Sequence, residues 1–275
     1  MRKFLVPMLV AMWTVPAVAA GGTAPGVPLR IDPRGGVLVE VRVNDVGPFT
    51  FLVDTGASRS IVADDLAREL QAPVVARSEV VTSVGSEMRL VVRLASVSIA
   101  PTRVSDVLAP VVHASQLSKL GPGVRGLLGQ DFLSAFNYTL DYRRSRLTWD
   151  EPLACGVAGA VRMAETEGRF VMALADERGA PLRLVPDSGS EVLVLFRARR
   201  DPATAASATI AGLVSGERGA TTRTLPPLRV GGVTLRHSTA YLTVRDDRHA
   251  DGLLPLHGFS RVSFAAGGVC VVVTK

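Results

Sequence analysis

Val37, Val39, Val41 and Val43 recur at every second position of "GVLVEVRVND", a period that predicts a half-buried strand ending at the Asn44-Asp45-Val46-Gly47 turn. A second apolar run, "PFTFLVDTG", predicts a hairpin partner that delivers the chain to Asp54. Beyond it, "SIVADDLAREL" predicts one short helix, and "SEVVTSVGSEMRLVVRL" places two apolar runs around a Val84-Gly85-Ser86 turn. "ASVSIAPTRVSDVLAPVV" again reads as strand. "GVRGLLGQDFLSAFNYTLDYRRSRLTW" predicts a glycine-punctuated apolar turn, a short helix and a last hairpin. The pattern is that of a mainly β fold with few short helices.

The order then recurs. "GRFVMALADERGAPLRLVPDSGSEVLVLF" reads strand, turn, strand, Asp-Ser-Gly. "TLPPLRVGGVTLRHSTAYLTV" follows "VVRLASVSIAPTRVSDVLAPV", and "DGLLPLHGFSRVSF" follows "RGLLGQDFLSAFNY". The spacings agree: 133 residues from Asp54 to Asp187, 136 from Val97 to Val233 and 126 from Gly126 to Gly252. A repeat of this length is a duplicated domain and not a solenoid unit. The join falls in "DEPLACGVAGAVRMAETEG", rich in Gly, Ala and charge, so the expected lobes are 21–152 and 153–275.

Residues 1–20 stand apart from this pattern. A basic start, an apolar stretch broken by Pro7 and Pro16, and small residues before Gly21 predict a signal peptide and an exported protein, periplasmic or secreted, without a stable membrane anchor. The formal charge is +6, or +4 once Arg2 and Lys3 are removed. The arginines are scattered and only 5% of residues are aromatic, which disfavours nucleic-acid binding. Cys155 and Cys270 lie in a chain expected in a disulfide-permissive compartment, and the sequence leaves open whether they pair.

Each half places an acid, a hydroxyl residue and Gly at the end of an apolar strand: Asp54-Thr55-Gly56 and Asp187-Ser188-Gly189. A lone ionised carboxylate in such a setting is costly, so something must compensate it. One such turn is common as an Asx-turn. Two, at the same place in a repeat, point to acids that meet about a pseudo-twofold axis and share one proton, one acting as base and the other as acid. A water between them could then attack a carbonyl without a covalent enzyme intermediate.

"FLVDTGAS" with a later "GLLGQDFL" and the "YTLDYRRSRLTW" hairpin resembles one subunit of the retropepsin-like aspartic proteases, and the duplication resembles their two-lobed, pepsin-like form. The resemblance implies two β-barrel lobes and an aspartic endopeptidase acting on an extended peptide or protein substrate as a monomer, with no metal or organic cofactor. It implies Asp54 and Asp187 as the catalytic pair, with Thr55 and Ser188 clasping the two loops and Gly56 and Gly189 making the turns. Leu127–Gly129 would pack behind the first turn, and the hairpin around "TSVGSEM" would be a flap.

The second half departs from the pattern at Pro186, before its acid, and at Pro255, where the first half has Gly129. Proline cannot donate a strand hydrogen bond, which puts the geometry of Asp187 in question. Ser190, where the first half has Ala57, could donate to the Asp187 carboxylate and make the two sites unequal. Two rival readings follow: a non-catalytic peptide-binding pseudoprotease, or a protease active only as a homodimer through Asp54.

Other motifs add little. His113, His237, His249 and His257 show no metal-ligand spacing, and "DDRHAD" reads as a solvated loop as readily as a metal site. "DSGSE" is not a nucleophile elbow, and "GPGVRG" lacks the ending of a phosphate loop.

Overall fold

The structure is a computed structural model that describes residues 26–275 apart from 83–84, 151, 176–178, 180, 198–207, 213–215, 237–238 and 246. The signal-peptide expectation for 1–20 lies outside the described residues. Among these the fold is mainly β, with short helices at Asp64–Glu69, Ala114–Leu117 and Gln130–Leu133.

Strand Val37–Val43 pairs antiparallel with Val46–Val53, setting Val37 opposite Val53. All four alternating valines are buried, and so is Leu38, so the start of this strand is covered on both faces and is more than half-buried. Only Glu40 and Arg42 keep an exposed row.

Strand Val46–Val53 then runs parallel to Val124–Leu128, which in turn pairs antiparallel with Ile61–Ala63. Ile61–Ala63 is a correction to the sequence expectation of one helix over "SIVADDLAREL". Its three residues are buried, and the insertion between Val124–Leu128 and strand Thr102–Val112 outweighs local helix propensity. The helix begins only at Asp64, where two acids occupy the favourable first turn.

The second half repeats these pairings. Pro181–Asp187 follows Arg169–Ala175 and runs parallel to Gly252–Pro255, which pairs antiparallel with Leu193–Arg197. Leu193–Arg197 runs parallel to Thr239–Val244, as Ile61–Ala63 does to Thr102–Val112. Each half also carries a projecting hairpin. In the first, Val74–Thr82 pairs with Gly85–Ile99; in the second, Ala208–Gly212 pairs with Gly216–Thr224. On the first hairpin Val81, Met88 and Leu90 are exposed on one face; the tip, 83–84, lies outside the described residues.

A single sheet joins the halves. Tyr138–Asp141 of the first half pairs with Arg261–Phe264 of the second, which continues through Cys270–Thr274 to Ala160–Thr166. Tyr138 stacks on Phe264 across this seam, with ring centroids 4.9 Å apart. Cys155 and Cys270 form a disulfide with Cα atoms 5.7 Å apart, which ties the segment entering the second half to its last strand.

Candidate active site

Strand pairing carries both acids to one place. Asp54 follows strand Val46–Val53, and its N–H donates to the Leu128 carbonyl at 2.9 Å. Asp187 ends strand Pro181–Asp187 and sits in register with Pro255. Neither proline displaces it. Pro186 lends its carbonyl to the loop contact described next, a role that needs no N–H.

The two turns grip each other through their hydroxyls. Ser188 Oγ accepts the Thr55 N–H at 3.1 Å and donates to the Val53 carbonyl at 2.7 Å. Thr55 Oγ1 accepts the Ser188 N–H at 3.0 Å and donates to the Pro186 carbonyl at 2.7 Å. Both side chains are buried, so these bonds have little competition from water.

This clasp brings each carboxyl against the other turn. A Cβ added to Gly56 would lie 2.5 Å from Asp187 Cγ, and one added to Gly189 would lie 2.8 Å from Asp54 Cγ. Only a residue without a side chain fits at either position. Each carboxyl thus lies against the glycine turn that follows the other acid.

Their environments are unequal. Asp54 Oδ1 accepts the Gly56 and Ala57 N–H groups, each at 3.0 Å, whereas Asp187 Oδ1 accepts the Gly189 N–H at 2.8 Å. Burial raises Asp54 above the ordinary carboxylate value, opposed by the neighbouring Asp187 carboxyl and by the hydrogen bonds from Gly56 and Ala57. Burial raises Asp187 well above that value, and the charge of Asp54 adds to the shift. Both carboxyls are raised by burial, so the pair holds one proton between them, and the two amides converging on Asp54 Oδ1 favour charge on that side. The Ser190 hydroxyl does not supply the donor expected from sequence. It donates to the Val192 carbonyl at 2.8 Å, a local turn bond that leaves only its backbone N–H for Asp187.

A second layer lies behind the Asp54 turn. The Gly129 N–H donates to Ser60 Oγ at 3.1 Å, and Ser60 Oγ donates to Asp131 Oδ1 at 2.7 Å. The Gln130 N–H donates to the Ala57 carbonyl at 2.9 Å, and Gln130 Nε2 donates to the Thr55 carbonyl at 2.7 Å. Gly129 fits so closely that a Cβ there would lie 2.4 Å from the Arg59 carbonyl carbon. The Leu127–Gly129 motif located this turn, but Ser60, Gln130 and Asp131 escaped the sequence reading. The signal was present in the repeat, where Gln130 and Asp131 are matched by Leu256 and His257.

The remaining candidates do not gather into a site. His113 meets Asp64 at 3.3 Å, His249 meets Glu167 at 3.8 Å, and His257 packs on Gly35, where burial lowers its pKa. His237 lies outside the described residues. Among the described residues no group of three or more His, Cys, Asp or Glu could hold a metal ion. "DDRHAD" is not merely solvated. Asp247 is buried between Arg169 and Arg245, each at 3.0 Å, and accepts the His249 and Ala250 N–H groups.

Comparison with known proteins reaches the same region. Residues 39–135 match the family model of the gag-polyprotein putative aspartyl protease. No curated relative matches the sequence. Among solved structures, the chain is similar to a retropepsin-like aspartic protease from Rickettsia conorii, at 22% identity over 40% of this chain and 78% of that one, with a TM-score of 0.30. Residues 39–135 are thus similar to an aspartyl protease family, and that stretch contains the Asp-Thr-Gly turn.

Proposed function

We propose that the protein is an aspartic endopeptidase in which Asp54 and Asp187 of one chain form the catalytic pair. The observation that carries this reading is the reciprocal fit of each carboxyl against the other acid's glycine turn. Two carboxyls so close cannot both ionise, and the shared proton answers the cost of burying Asp54. Asp54, charged, takes a proton from a water; Asp187, protonated, donates to the carbonyl oxygen of the scissile peptide. The water oxygen bonds to the carbonyl carbon and gives a tetrahedral diol. Asp54 then gives its proton to the leaving nitrogen as the C–N bond breaks, and Asp187 takes back a proton from a diol hydroxyl as the carbonyl re-forms, which restores the pair with no covalent enzyme intermediate.

An extended segment of peptide or protein is the substrate, lying along the projecting hairpins so that backbone pairing supplies affinity. The exposed Val81, Met88 and Leu90 suit a partner with apolar side chains. The space facing Asp54 is taken by Asp187 of the same chain, which favours the monomer over a homodimer built on two copies of Asp54. The Cys155–Cys270 bridge supports export to a periplasmic or extracellular compartment.

Single Asp54→Asn and Asp187→Asn variants, assayed on a peptide library across pH, test the reading. Cleavage by the wild type and its loss in both variants is the expected result. Loss with Asp54→Asn alone would restore the homodimer, and an inactive wild type at every pH would leave a peptide-binding pseudoprotease.

A further inference from the structure

The two acids rest on different supports. Behind Asp54, the buried Gln130 carboxamide donates to the Thr55 carbonyl at 2.7 Å while the Gln130 N–H holds the Ala57 carbonyl at 2.9 Å. The same residue thus fixes the peptide before Gly56 and the one after Ala57. Between those two points lie the Gly56 and Ala57 N–H groups that converge on Asp54 Oδ1. In the second half, strand register places Leu256 at the matching position, since Leu128 lies opposite Val53 and Leu254 opposite Pro186. Leu256 is buried and has no side-chain carboxamide to donate. The brace is one-sided.

We propose that Gln130 is a positioning residue that sets the division of labour in the pair, holding the Asp54 turn so that both amides stay on Oδ1 and Asp54 serves as the base. This inference rests on the endopeptidase reading. Gln130 touches no reacting atom and acts through the backbone of Thr55 to Ala57. Without its donor, the Thr55 carbonyl loses its partner, the turn relaxes, and the amides that stabilise the Asp54 carboxylate lose alignment. The base then ionises at higher pH and sits less well against the water it activates.

Two variants isolate the donor. Gln130→Met keeps the side-chain length and removes the N–H. It is expected to lower kcat about 10- to 100-fold, the scale of a small misplacement of a reacting group. KM should stay within about twofold, because the loss is in the transition state. The acidic limb of its kcat/KM profile should move to higher pH. Gln130→Glu can donate to the Thr55 carbonyl only while its carboxyl is protonated, so its activity should approach the wild type at the acidic end and fall away as that group ionises. A merely structural role would lower stability without this pH-dependent recovery. Wild-type kcat and pH profile in Gln130→Met would overturn the proposal, as would a Gln130→Glu activity that tracks either the wild type or Gln130→Met at every pH. A wild type that cleaves while Asp54→Asn does not, with Gln130→Met unaffected, would refute this inference alone; an inactive wild type would remove it together with the endopeptidase reading.

Discussion

Replacing Ser188 by Ala removes one side of the clasp between the two acidic turns. The Thr55 N–H loses its acceptor at 3.1 Å and the Val53 carbonyl loses a donor at 2.7 Å. Both lost bonds are buried, and the cavity left by one hydroxyl is too small for water to restore them. A buried donor left unsatisfied costs about 1–3 kcal/mol, and the lost bond to the carbonyl about 0.5–1.5 kcal/mol, so the variant should lose about 2–4 kcal/mol. For a protein of this size each kcal/mol moves Tm by about 2–4 °C, giving a fall of roughly 5–15 °C. Thermal unfolding followed by circular dichroism reads this directly. Ser188→Thr, which keeps the hydroxyl, should stay near the wild type. Thr55→Ala strands the Ser188 N–H in the same way, so the double variant should lose less than the two single losses combined. A Tm for Ser188→Ala within about 2 °C of the wild type, or strict additivity in the double variant, would refute the claim that these hydroxyls hold the turns together.

Three further outcomes are expected. Because the carboxyl of Asp187 is raised in the folded state, the native protein holds a proton that the unfolded chain releases. Its stabilising contribution is full below the ordinary carboxylate value and is lost as pH rises through the folded value, so Asp187→Asn should flatten the decline of Tm with rising pH seen in the wild type. Reducing the Cys155–Cys270 bridge opens a loop of 115 residues and should cost about 2–5 kcal/mol, measured as a lower denaturation midpoint with reductant present. Asp247→Ala leaves the half-buried Arg169 and Arg245 facing each other without the carboxylate between them and should destabilise the fold by about 1–3 kcal/mol in chemical denaturation. Breaking the more exposed Arg183–Asp251 pair should cost less than about 1 kcal/mol.

The sequence made the strands and both acidic turns legible because each carries a strong local signature. Alternating valines mark Val37–Val43, and Asp-Thr-Gly and Asp-Ser-Gly mark the turns, the second recognised through its place in the repeat. It misread Ile61–Ala63 because that segment is too short to display a period, and its strand character comes from the neighbours on either side. Ser190 misled for a related reason. A hydroxyl beside an acid can be named from sequence, but its choice of the Val192 carbonyl over the carboxylate depends on the path of the turn. Gln130 was hidden because a glutamine beside an apolar run looks like a surface residue until the fold buries it. The cysteine pair needed coordinates for the same reason: proximity across 115 residues is not written in either neighbourhood.

Carrying both acids on one polypeptide frees the pair from enforced equivalence. In an assembly of identical subunits, a change behind one aspartate appears behind the other as well. Here Gln130 backs one turn and Leu256 the other, so selection can tune a donor on one side while the opposite side drifts toward an apolar filling. Specialisation of one acid as proton acceptor and the other as proton holder is thus open to this architecture by point substitution, without any loss of symmetry in a partner.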